Sequence, residues 1–210
     1  MGKFILGDCM NPEYGLPSYP DKYFDLAIVD PPYGININMN MGRRKGQPKK
    51  HLDKKWDKST PSPSYFSHLF RVSKNQIIWG GNYYSLPLTK AWFFWDKQLP
   101  FGVSFADGEL AWTSFDFALK KIRLKHAGFH NSELGQKIHP TQKPVALYRW
   151  LLENYAQPGQ LILDTHVGSA SSLIACEQLG FDYVGFEIDP DYYEAAQKRM
   201  QKGIQKVLQW

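Results

Sequence analysis

Residues 30–33 read Asp30-Pro31-Pro32-Tyr33 and follow a run, 24–29, with almost no polar atoms. A residue before proline is pushed out of the helical region, so Asp30 and Pro31 are both held extended. Their carboxylate and carbonyl are therefore two hydrogen-bond acceptors aimed in advance. The apolar run reads as a central strand of a parallel sheet, buried on both faces. Its carboxyl end is the edge of an open α/β sheet where ligands bind.

A second constellation has the same form. Residues 161–171, LILDTHVGSAS, are a buried strand that ends in Asp164 and runs through a glycine turn, Gly168-Ser169, into a helix. Such a turn lets backbone approach a ligand closely, and the helix start supplies free N–H groups. Glu187 comes nineteen residues after Gly168, at the end of the next strand. In nucleotide-binding α/β units an acid at about that distance takes the two ribose hydroxyls. A dinucleotide site needs GxGxxG for its pyrophosphate, and only Gly168 is present here, with Asp164 adding a negative charge where the pyrophosphate would lie. An adenosine ligand carrying a positive group is the better electrostatic match, and S-adenosylmethionine has both a sulfonium and an ammonium.

The chain has 210 residues, 43% hydrophobic and 21% charged, which suits one compact domain over residues 1–210. Cys9 and Cys176 form no CxxC pair, so neither a disulfide framework nor a zinc site is expected; a reducing, cytoplasmic compartment fits. No stretch approaches a membrane span. Of the net charge of +5, a local +6 falls between Gly34 and Thr60: eight basic residues against Asp53 and Asp57. Arg43, Arg44, Lys45, Lys49, Lys50, Lys54 and Lys55 thus follow the Asp30 site directly, in a loop spanning 34–63, where a polyanion such as double-stranded DNA would be held.

To place these groups, short runs rich in β-branched and aromatic residues read as strands at 4–6, 24–29, 76–80, 91–95, 109–112, 161–163 and 183–188. Helical patterns follow Pro144 (Tyr148, Leu151, Leu152, Tyr155), cover 171–179 before Gly180, and begin again after Asp189 as N-cap with Pro190 in the first turn. Strands alternating with helices imply an α/β, Rossmann-like, doubly wound sheet, and residues 77–117, with no long helical pattern, an antiparallel portion of it.

Asp30-Pro31-Pro32-Tyr33, then His139-Pro140-Thr141-Gln142-Lys143-Pro144, then the Asp164-to-Ser169 turn with Glu187 together resemble the amino-group DNA methyltransferases, most closely the N6-adenine enzymes of the circularly permuted beta class. The resemblance covers nearly the whole chain. It implies the S-adenosylmethionine-dependent methyltransferase fold, with Asp8 on the cofactor adenine and the Cys9 backbone beside it. It also implies Asp164, Gly168 and Ser169 at the methionine end, Glu187 on the ribose, and Lys143 near the methionine carboxylate. His166 and Ala170 stand where relatives usually have phenylalanine and a second glycine; the first is expected to pack over the cofactor and the second to alter the turn.

The chemistry agrees with the resemblance. An adenine N6 is a weak nucleophile because its lone pair is delocalised, and the two acceptors of Asp30 and Pro31 would draw it toward a tetrahedral shape. Asp30, Pro31, Pro32 and Tyr33 are therefore the expected catalytic segment, with Tyr33 stacking on a base flipped out of the duplex. The target-recognition segment is expected at 116–138, and no metal is expected, since His126 and His130 lack a third ligand. N4-cytosine methylation and a non-catalytic nucleic-acid-binding module are the competing readings. A homodimer, or a separate restriction or specificity partner, stays open.

Overall fold

The structure is a computed structural model, which describes residues 2–36, 57–99, 106–125, 138–139 and 141–207, with side chains in the last helix through Gly203. Eight strands form one sheet: β1 (Lys3–Leu6), β2 (Phe24–Val29), β3 (Ser73–Trp79), β4 (Trp92–Asp96), β5 (Gly108–Thr113), β6 (Lys120–Arg123), β7 (Leu161–Asp164) and β8 (Asp182–Glu187). Their spatial order is β1-β8-β7-β2-β3-β5-β4-β6. Strands β1, β8, β7, β2 and β3 are parallel, whereas β5 runs antiparallel to both β3 and β4. The mixed, doubly wound sheet expected from the sequence is present.

Side-chain alternation on β2 shows why it reads as a continuous apolar run. Leu26 and Ile28 enter a core formed with α2 (Val145–Tyr155), α3 (Ser171–Leu179) and α4 (Pro190–Val207). Ala27 and Val29 enter a second core against α1 (Pro63–Val72). With helices on both faces, a strand has no wet side. The chain leaves β2 toward β3 on one side, whereas β7 continues to β8 on the other. The boundary between β2 and β7 is therefore the topological switch point, where open α/β sheets bind ligands. Register pairs Leu26 with Ile162 and Ala27 with Leu163, so Asp164 ends its strand at the level of Ile28 and Asp30 emerges two residues further along, from the adjacent strand.

Two elements go beyond the sequence expectation. The α1 helix lies partly inside residues read as a basic loop. Its signals are local: Ser62 caps the Tyr65 amide, Pro63 fills the first turn, and Tyr65, Phe66, Leu69 and Val72 bury one face. Strand β6 adds an edge within the segment expected to read the target, pairing in parallel with β4. Arg43, Arg44, Lys45, Lys49, Lys50, Lys54 and Lys55, like His126 and His130, lie outside the described residues. The ends of that basic segment are tied together: Asp57 Oδ1 accepts from Gly34 N at 2.9 Å and the Asp57 carbonyl from Asn36 N at 2.9 Å. Among the described residues no helix is long and apolar enough to cross a membrane.

Candidate active site

A cavity of about 340 Å³ opens at the switch point, within the range of small-molecule sites. Its lining brings together residues from both ends of the chain: Gly7, Asp8 and Cys9 after β1, Asp30 and Pro32 after β2, Lys143 before α2, Gly168 and Ser169 after β7, and Glu187 at the end of β8. The Asp30 segment and the Gly168–Glu187 unit therefore face one cavity. Asp8, Asp30, Glu187 and Asp189 place four carboxylates on its wall against one ammonium, Lys143. Such a lining disfavours a phosphate and favours a ligand with positive charge.

Each carboxylate is oriented by its own neighbourhood. Glu187 Oε2 accepts from the Gly168 amide at 2.7 Å and Oε1 from the Asp189 amide at 2.9 Å, which fixes it against the glycine turn. Asp8 Oδ1 accepts from Met10 N at 2.8 Å. Burial pushes the Cys9 thiol up to about 12, so it is no nucleophile near neutral pH.

Asp164 is placed differently from the expectation. It does not line the cavity but lies beneath the turn, 2% exposed, accepting from the His166 amide at 3.0 Å and from the Ser172 hydroxyl. Burial raises its carboxyl to about 7, and the charges of Asp30 and Glu187 add to that, outweighing the two donors. Its first task is to hold the turn. Ala170 takes φ 59° and ψ 26°, the left-handed conformation expected only of glycine, so the departure from a second glycine is absorbed as strain and the turn survives. The buried Arg199 of α4 steadies it from below, donating to the Ser169 carbonyl and, at 2.9 Å, to Ser171 Oγ. His166 lines the cavity edge-on to Tyr65, with Nδ1 2.9 Å from Thr165 Oγ1, and burial lowers its pKa to about 4, leaving it neutral.

Lys143 lines the cavity, and its ammonium is already engaged there: 2% exposed, it sits 2.5 Å from Asp30 Oδ2 and 3.0 Å from Glu109 Oε2. Tyr33 completes the cluster, its hydroxyl 2.8 Å from Asp30 Oδ1, 3.0 Å from Glu109 Oε2 and 3.1 Å from Lys143 Nζ. Its ring stacks on Tyr83 at 4.9 Å and 13°, and no side chain at Gly80 obstructs it: a Cβ there would stand 2.2 Å from the Tyr33 ring. Neither Tyr33 nor Pro31 lines the cavity. The Pro31 carbonyl instead accepts from Tyr84 Oη at 2.7 Å.

Glu109, Lys97, Tyr84 and Arg199 were not singled out by the sequence. An isolated acid within β5 has no spacing signal, and Arg199 lies in an exposed-looking Gln-Lys-Arg run whose burial only the fold reveals. Among the described residues no group of three His, Cys, Asp or Glu side chains could hold a metal.

Fold and site together define a nucleoside-binding α/β protein with a charged acceptor beside the ligand cavity. The N6/N4 methyltransferase family model, described as DNA methylase, matches residues 85–198. That is more than half of the chain, and the chain belongs to this family. YubD of Escherichia coli (strain K12) is 25% identical over all of this chain and 94% of its own length. The type II methyltransferase M.HinfI of Haemophilus influenzae is 22% identical over 96% of this chain and 69% of its own. Among solved structures, the M1.HpyAVI–SAM complex has a TM-score of 0.63 at 18% identity, covering 95% of this chain and 100% of that one. The cytosine-N4-specific PvuII DNA methyltransferase has a TM-score of 0.62 at 15% identity, covering 99% and 93%. These likenesses establish the fold as that of the S-adenosylmethionine-dependent methyltransferases.

Proposed function

We propose that the protein is a DNA adenine N6-methyltransferase that uses S-adenosylmethionine. The observation that carries the reading is the Asp30 carboxylate facing the same cavity as Gly168 and Glu187. The cofactor fits the residues present: Glu187 suits the ribose hydroxyls, Asp8 the adenine amino group, and the surplus of carboxylates a cationic methionine end. Bound there, it supplies an electrophilic methyl group.

The chain's own residues do the rest. Asp30 accepts one N–H of the exocyclic amine and the Pro31 carbonyl the other, which localises the nitrogen lone pair. The geometry is preset by the two prolines. An adenine stacked in a duplex is out of reach, so it is flipped into the site at a cost of a few kcal/mol. Tyr33 can stack on it once its hydroxyl leaves the Asp30–Glu109 cluster, offsetting about 1–3 kcal/mol. The arginines and lysines of 34–63 hold phosphates, giving affinity and register with little sequence information.

An aspartate ahead of the prolines favours adenine. The test is incubation with methyl-labelled cofactor and duplex DNA, followed by nucleoside analysis. Labelled N6-methyladenine supports the reading; labelled N4-methylcytosine replaces it with the cytosine reaction; cofactor and DNA binding without transfer to any base replaces it with a binding module.

A further inference from the structure

Glu109 is not among the residues that line the cavity, yet it is tied to three groups at the reacting end. Its Oε2 lies 3.0 Å from Lys143 Nζ and 3.0 Å from Tyr33 Oη, and its Oε1 2.8 Å from Lys97 Nζ. Lys143 and Tyr33 are also the donors that hold the two oxygens of Asp30. Two carboxylates thus share one ammonium and one hydroxyl, and a second ammonium holds the outer carboxylate from behind.

The sharing matters for the transfer. As the amine nitrogen forms its bond to the methyl carbon, the carbon–sulfur bond breaks and its electron pair stays on sulfur. The nitrogen is left positive and must lose one proton. Asp30 is the base within reach. An ammonium held by Asp30 alone would drain the carboxylate of the charge that makes it an acceptor.

We infer that Glu109 is a positioning residue for methyl transfer: by drawing the Lys143 ammonium and the Tyr33 hydroxyl toward itself, it keeps Asp30 able to take the proton from the methylated amine. The inference rests on the reaction proposed above. The other charged and titratable groups acting on Asp30 come from several elements: Lys143 before α2, Tyr33 from its own segment, Tyr84 beyond β3, Tyr148 of α2 and Asp164 of β7. Their balance agrees with the geometry. Burial raises the Asp30 carboxyl and Glu109 adds to it, together outweighing Lys143. For Glu109 itself, burial is overcome by Lys143 and Lys97, which hold it down at about 2, so it stays charged.

Two substitutions in the whole chain move Asp30 in opposite directions. Glu109→Gln leaves Lys143 to Asp30 alone; the acid limb of the kcat profile shifts to lower pH and kcat near neutral falls about tenfold, a fraction of what a general base contributes. Lys97→Met frees Glu109 from its second ammonium and shifts the acid limb to higher pH, which also serves if the first variant folds poorly. S-adenosylmethionine affinity by calorimetry stays within about twofold in both, because neither side chain reaches the cavity. Limbs that stay put, or move together, overturn the inference. If the wild-type protein methylates no base, the proposed reaction fails on its own account, and Glu109 is judged by the carboxyl-carbon NMR titration of Asp30. That titration moves to lower pH in Glu109→Gln if the inference holds, and an unmoved one overturns it.

Discussion

Asp164→Asn should make the protein more stable while weakening its grip on the methyl donor. The wild-type carboxyl is 2% exposed, has two donors, and stands in the field of Asp30 and Glu187. Burial, with those two charges, raises its pKa from 3.8 to about 7. The sign follows from linkage: a carboxyl raised on folding contributes stability that is complete below pH 3.8 and is lost as pH rises through about 7. A rise of that size corresponds to roughly 4 kcal/mol, of which about 2–3 kcal/mol falls between pH 5 and 8. Asparagine keeps the shape and an oxygen for the His166 amide but has no charge to bury. Urea denaturation of both proteins at pH 5, 6, 7 and 8 measures the difference. Asp164→Asn should gain on wild type by about 2–3 kcal/mol across that range, and calorimetry at pH 8 should show weaker S-adenosylmethionine binding. A stability difference that is flat with pH, or that turns against the variant as pH rises, would refute the reasoning.

Lys143→Met strands Asp30 and Glu109 against each other in a buried site, so it should cost about 3–5 kcal/mol in urea denaturation at pH 8. The loss should shrink toward acid pH as the raised Asp30 carboxyl takes a proton. Ala170→Gly relieves a left-handed alanine, worth about 1–2 kcal/mol, against the entropy of a freer unfolded chain. A net gain of about 0.5–1 kcal/mol should appear as a higher melting temperature, with cofactor affinity kept. Replacing Arg43, Arg44 and Lys45 together with alanine should weaken DNA binding uniformly across sequences. The slope of log affinity against log salt, read by fluorescence anisotropy, should fall by up to about 2.7.

What could be read in advance was what depends on local pattern. The unbroken apolar run of 24–29 requires helices on both faces, and β2 has them. Asp164, Gly168 and Glu187 lie on one strand–turn–helix–strand unit, so their convergence needed only the βαβ geometry. The placements that escaped depend on side chains meeting across long sequence separations. Lys143 meets Asp30 from 113 positions away and Tyr33 meets Glu109 from 76, and nothing in their own neighbourhoods announces either partner. The Ala170 expectation failed because a backbone preference of about 1–2 kcal/mol is small beside a turn held by Arg199, Asp164 and Glu187 at once. The α1 helix was missed for a different reason: its Ser62-Pro63 start adjoins a long basic segment, and composition masked a local cap.

The acceptors proposed for the substrate amine are already in use. Tyr33 and Lys143 donate to Asp30, and Tyr84 donates to the Pro31 carbonyl. A buried carboxylate left without donors is costly, so these contacts keep the ground state of the site stable. They also make substrate entry an exchange of hydrogen bonds, close to even in energy, with the amine taking the place of the internal donors. Glu109 makes the exchange feasible, because it offers both displaced donors a second acceptor at 3.0 Å, so neither the ammonium nor the hydroxyl is stranded when Asp30 turns to the base. On the proposed reaction, a ring merely resembling adenine but lacking two N–H groups cannot complete that exchange and leaves Asp30 short of a donor. Discrimination of this kind arises from an unpaired buried group in the enzyme, and requires no added contact to the correct base.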